Sequence, residues 1–95
     1  MNLQDIKELL EKNKSQLYYS YPIKSMAIFG SFARNESTKD SDLDIVVEFN
    51  DKIGLRFIDL ANELETLIGL KVDLVSKNGI KERYFQSIKK DLVYV

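Results

Sequence analysis

The constraint that weighs most on this chain lies between two apolar runs. The first, Met26-Ala27-Ile28-Phe29, stops at Gly30-Ser31; ten residues later Asp42-Leu43-Asp44 opens the second, Ile45-Val46-Val47. In the second run Leu43, Ile45, Val47 and Phe49 alternate onto one face, while Asp42, Asp44, Val46 and Glu48 take the other. That period of two predicts a strand from Asp42 to Phe49. Two carboxylates spaced i and i+2 on it stand on the same face.

A Gly-Ser pair at the end of a strand lets backbone N–H groups come close to a phosphate. Carboxylates on the next strand can hold Mg²⁺ against that phosphate, because Mg²⁺ is commonly bound by one or two carboxylates plus phosphate oxygens. The combination points to a nucleoside triphosphate. The plainer alternatives are a strand-ending turn at Gly30-Ser31 and surface decoration by Asp42 and Asp44. Aspartate is depleted in strands, however. At an effective dielectric near 20, like charges at ~4 Å cost about 4 kcal/mol, and less when farther apart. A sheet gains nothing from that repulsion unless a cation offsets it. Asp40-x-Asp42-x-Asp44 also begins like a calcium-binding EF-hand loop. Such a loop needs glycine at its sixth position and glutamate at its twelfth, where this chain has Ile45 and Asp51. Arg34 is a second phosphate candidate, since a guanidinium fork matches phosphate oxygens; the alternative is a solvated loop cation.

Gly30-Ser31, ten residues, then Asp42-x-Asp44 resembles the signature of the DNA polymerase beta-like nucleotidyltransferase superfamily. The short chain narrows the likeness to the minimal nucleotidyltransferases (MNT), which include MntA-type antitoxins paired with HEPN-domain toxins. The likeness runs from residue 23 to 95 and takes in Phe32-Ala33-Arg34, a third aspartate in Lys71-Val72-Asp73-Leu74-Val75, and the ending from Ile88 to Val95. It implies Mg²⁺-dependent transfer of AMP from ATP to a hydroxyl acceptor, a tyrosine of a HEPN toxin. By the same likeness Asp42 and Asp44 serve two Mg²⁺ ions, and Asp73 binds the nucleophile-side ion or accepts the nucleophile's proton. Gly30 and Ser31 hold the triphosphate, and Arg34 neutralises charge on it. Two other readings stay open: a small-molecule nucleotidyltransferase of the aminoglycoside type, and a non-catalytic antitoxin that covers its toxin stoichiometrically. A homo- or hetero-oligomer is compatible with each.

Composition excludes several classes. Ninety-five residues, 44% hydrophobic and 31% charged, predict one ordinary globular domain over 1–95. Fourteen basic residues against fifteen acidic give a net charge of −1, so no overall basic field recruits nucleic acid. Cysteine and histidine are absent, which removes disulfides, zinc–thiolate sites and imidazole catalysis and leaves carboxylates as the strong metal ligands. The N-terminus lacks the pattern of a signal peptide, and no apolar run reaches the ~18 residues of a membrane span. The expectation is a cytoplasmic protein with no membrane contact.

Periodicity predicts one amphipathic helix over residues 3–17, carried by Leu3, Ile6, Leu9, Leu10 and Leu17 and capped by Asn2. Pro22 then precedes a strand over 23–29. A short helix follows over 31–35, then a polar loop over 36–41. After the Asp42–Phe49 strand come a helix over 55–68 closed by Gly69, a strand over 70–75, and a helix built on Ile80, Tyr84, Phe85 and Ile88. Val93-Tyr94-Val95 forms a short extended tail. The sum is an α/β (α+β) domain, nucleotidyltransferase-like, with a small mixed sheet of three or four strands and helices packed on it. Tyr18, Tyr19 and Tyr21 read as a packing cluster at a helix end or as a partner surface.

Overall fold

The computed structural model describes residues 1–95. Its N-terminal helical region is two helices, α1 (Leu3–Lys12) and α2 (Lys14–Ser20), rather than the single helix expected. Asn13 makes the break. Its backbone leaves the helical region (φ −105°, ψ 6°), and its side-chain amide donates to the Leu9 carbonyl at 2.8 Å. Asparagine competes for backbone partners in this way, and periodicity alone does not register it. Asn2 caps α1 as expected: its Oδ1 accepts from the Asp5 N–H at 2.9 Å, and the Asp5 carboxylate accepts from the Asn2 N–H. Such a reciprocal box satisfies two orphan donors. Ile6, Leu10 and Leu17 still reach a common core.

Four strands follow: β1 (Ile23–Phe29), β2 (Leu43–Phe49), β3 (Val72–Ser76) and β4 (Val93–Tyr94). They lie in the order β3-β2-β1-β4, with β1 antiparallel to both β2 and β4, and β2 parallel to β3. The parallel pair requires a crossover, which α4 (Arg56–Ile68) supplies. Gly69, at φ +81°, ends α4 in the left-handed conformation, one that costs glycine least. Glu65 reaches from the last turns of α4 to accept the Val72 N–H at 2.9 Å. That bond marks the start of β3 at Val72, two residues later than expected.

Between Ile23 and Ser25 the β1–β2 register slips, and Ile23 and Met26, three apart, both join the core. A bulge changes the phase of side chains along a strand in this manner. The main core lies on one face of the sheet. There Met26, Ile28, Leu43, Ile45, Val47 and Phe49 meet Ile6, Leu10, Leu17, Leu60, Leu64 and Ile68 from the helices. The other face carries only Ala27, Phe29 and Val46, with Val75, Ile88 and Leu92 against them. Ile88 comes from α5 (Glu82–Ile88), which starts two residues after the expected Ile80. Among the tyrosines, Tyr21 is buried and donates to Glu63 at 2.9 Å beneath the Arg56 guanidinium, whereas Tyr19 is 92% exposed. Packing therefore accounts for Tyr21 and not for Tyr19.

Leu64 has no exposed surface. Leu64→Ala is expected to lower the unfolding free energy by about 2–5 kcal/mol, as buried leucine truncations do. Urea denaturation reads this directly, and a loss below about 1 kcal/mol would contradict the view that α4 closes the main core.

Candidate active site

The site forms where β1 ends. Phe29 is extended, and Gly30 turns the chain at φ +74° into the short helix α3 (Gly30–Ala33). Directly across the ladder from Phe29 stands Asp44, and beside Asp44 on the parallel strand stands Asp73. Sheet register alone thus places Asp44 between the strand end and a second carboxylate. An added Cβ on Gly30 would lie 2.1 Å from the nearer Asp44 carboxylate oxygen and 3.0 Å from its carbon. The glycine is needed twice over, for its positive φ and because Asp44 lies on its backbone. The space that a Gly30 side chain would need is taken by the Asp44 carboxylate.

Asp44 is half-buried, and its carboxyl is pushed up from 3.8 to about 6. Burial is the largest cause, followed by the charge of Asp73, a hydrogen bond with Asp73 and the charge of Asp42; Arg34 pulls the other way. Clustered carboxylates that resist ionising together are a frequent mark of functional sites. Asp42 lies one residue outside β2 rather than opening it, exposed to solvent, and Asp73 is also exposed. The three carboxylates do not close into a ready group of three metal ligands. Asp73 stands beside Asp44 in the ladder, and Asp42 acts on Asp44 through its charge.

Ser31 lies in the first turn of α3, partly exposed, and its backbone carbonyl accepts from Glu36 at 2.8 Å. Arg34 caps α3. Its Nε donates to Glu36 Oε1 at 2.8 Å and its Nη1 to Asp91 Oδ2 at 3.0 Å. These carboxylates raise the guanidinium further above its ordinary value, with Glu36 the larger cause. Gly30, Ser31, Arg34, Asp42, Asp44 and Asp73 thus fall around one strand end. Glu36 and Asp91 were not foreseen. Asp91 is 57 residues from Arg34, so no local pattern could join them. The largest groove, about 430 Å³ between Phe49, Ile53 and Asn78, lies at the far end of β2 and contains none of these residues.

The fold is that of a nucleotidyltransferase, and the chain belongs to the nucleotidyltransferase domain family, which matches residues 6–95. It is similar to a Methanocaldococcus jannaschii protein named as a candidate protein adenylyltransferase, 50% identical over 95 residues, covering 98% of this chain and 97% of that one. It is 36% identical over 96 residues to the protein adenylyltransferase MntA of Thermococcus cleftensis, covering 100% of this chain and 97% of that one. A solved structure described as a candidate minimal nucleotidyltransferase superposes with a TM-score of 0.81 at 31% identity, over 98% of this chain and 95% of that one. A Shewanella oneidensis complex, a tri-AMPylated HEPN toxin with its MNT antitoxin, shares the fold at a TM-score of 0.62 and 22% identity, over 98% of this chain and 67% of that one. No helix is long and apolar enough to cross a membrane.

The raised Asp44 carboxyl fixes a pH dependence. Its folded value, about 6, lies above the ordinary 3.8, so the folded state binds the proton more tightly and ionisation opposes folding. In metal-free buffer, stability should rise as pH falls from 7 through 6 toward 4. Asp44→Asn should remove that slope and add about 1–2 kcal/mol at pH 7, a figure reduced for solvent at a half-exposed group. Melting curves of both proteins at pH 7 and pH 5 read the difference; an equal gap between them at both pH values would refute the assignment. Gly30→Ala should instead destabilise, through its Cβ against Asp44.

Proposed function

We propose that this nucleotidyltransferase moves AMP from ATP to a hydroxyl of a partner protein, a tyrosine of a HEPN-domain toxin, and so acts as the antitoxin of a pair. The carrying observation is the register that stacks Asp73 beside Asp44 and seats Asp44 on the Gly30 backbone. The names of the archaeal relatives and the AMP-bearing toxin of the Shewanella oneidensis complex support the acceptor class.

The donor chemistry suits Mg²⁺, with Asp44 and Asp73 side by side and Asp42 set apart until a cation draws it in. Asp42, Asp44 and Asp73 offer hard carboxylate oxygens, and burial together with the nearby carboxylates pushes the Asp44 carboxyl up, an effect that a divalent cation would oppose. Bound there, two Mg²⁺ ions would supply Lewis-acid chemistry: neutralised charge on the triphosphate and easier ionisation of the attacking hydroxyl. Asp42 and Asp44 would serve both ions and Asp73 the nucleophile's side. The acceptor oxygen bonds to the α-phosphorus, the bond to pyrophosphate breaks, and the proton passes to Asp73. Backbone N–H groups at Gly30 and Ser31, with Arg34, bind the triphosphate oxygens.

Incubating the protein with ATP, Mg²⁺ and the partner toxin, then weighing both proteins intact, tests the reading. The toxin, a ribonuclease by the family resemblance, is expected to gain the mass of AMP and to stay silenced after separation, since the new negative charge beside its site repels RNA. Protection that vanishes on separation would favour the stoichiometric binder, and transfer to a small molecule but not the toxin would favour the aminoglycoside type. Asp42→Asn and Asp44→Asn should each lower transfer by about 100-fold or more, the scale of losing one transition-state stabilising group. Asp73→Asn should lower kcat more than nucleotide affinity. Wild-type transfer by Asp44→Asn would sink the metal assignment.

A further inference from the structure

Arg34 does not hang free. It is gripped by Glu36 and Asp91, and the two carboxylates differ. Glu36 is 65% exposed at its side chain, whereas Asp91 is only 17% exposed. Asp91 closes the turn Lys89–Asp91 and lies just before β4, which pairs with Ala27 and Ile28 of β1. Arg34 lies just beyond α3, which continues from the end of that same strand. Both members of the pair are therefore fixed to β1, one on each side of the Gly30 turn.

Stability gives this arrangement little reason to exist. An ion pair with the arginine nearly half exposed adds little to stability. Charge alone argues against it as well, because two further carboxylates beside a triphosphate site repel the ligand. What the pair does supply is direction. A guanidinium has five N–H donors in a rigid plane; Glu36 and Asp91 occupy one each and leave three in a fixed orientation.

We propose that Asp91 is a positioning residue: from the C-terminal turn it holds the Arg34 guanidinium so that its remaining donors meet the triphosphate oxygens. The proposal rests on the nucleotide site described above. A fixed arginine binds substrate and transition state alike, so its loosening raises KM and spares kcat. Simple electrostatics predicts the opposite, since deleting a negative charge should tighten ATP.

The test compares the full-length protein with Asp91→Asn, Asp91→Glu, Arg34→Gln and the double variant Arg34→Gln with Asp91→Asn. ATP affinity is measured calorimetrically with Mg²⁺, and AMP transfer supplies KM and kcat. Asp91→Asn should weaken ATP about 2- to 10-fold, the scale of ordering one flexible side chain, with kcat within a factor of about two. Asp91→Glu should recover part of the loss, and in the Arg34→Gln background Asp91→Asn should change nothing. Unchanged or tighter ATP binding by Asp91→Asn, or equal weakening in the Arg34→Gln background, overturns the positioning role. If Asp91→Asn melts far below wild type, the partial recovery by Asp91→Glu decides in its place, and no recovery overturns the role. A wild type that binds no ATP overturns the reading of the site itself, which separates that failure from this one.

Discussion

Asp44 lying on the bare backbone of Gly30 is the contact around which the rest of this structure is arranged. A carboxylate, partly withdrawn from water and set beside a second carboxylate, would not take that position unaided. Each acidic neighbour adds to the cost of its charge, and only Arg34 offsets it. What holds it is the ladder: Phe29 pairs with Asp44 and Asp44 with Asp73, and the opposite face of the same strands is locked into the main core. Because the side-chain period is two, a one-residue slip of β2 would bury Asp44 and expose Ile45. The apolar core thus fixes the acidic site at a distance, and repulsion in the site is sustained by burial beneath it.

The two faces of the sheet divide this labour by rows. One row across the strands reads Asp73, Asp44, Phe29; the next reads Val75, Val46, Ala27, Tyr94. The C-terminal segment covers the second row with Ile88 and Leu92 and leaves the carboxylates of the first open to solvent and ligand. A larger apolar cover would bury the carboxylates without partners, which is costly. The thin core on this side is the condition for a polar site on a domain of this size.

Much of this was legible in the sequence because it rests on local chemistry. Alternation in Asp42–Phe49 gave the correct face for every residue of β2, and Gly30, Gly69 and Asn2 marked ends that the structure keeps. The misses have physical causes. Asn13 broke an otherwise periodic helix through its own side-chain bond, and Val72 began β3 late because Glu65 captures its N–H. The bulge after Ile23 put residues three apart on one face, a pattern that a period of two cannot show. Long-range pairs were the least accessible. Asp73 was placed by its likeness to a known motif, and nothing near Arg34 in the sequence pointed to Asp91.

The same distinction separates the groups that can be varied from those that cannot. Gly30 and Asp44 constrain one another sterically, so a change at Gly30 acts on Asp44 before it acts on any ligand. Lost activity in a Gly30 variant would not by itself report phosphate binding. Arg34 and Asp91 constrain one another through an ion pair that contributes little to stability, so their variants can report on binding in a folded protein. Asp44→Asn stands between these cases, because it removes a charge that the fold opposes and keeps the shape that Gly30 accommodates. A protein that becomes more stable as it loses transfer is the signature expected where a site is built against the preference of its own scaffold.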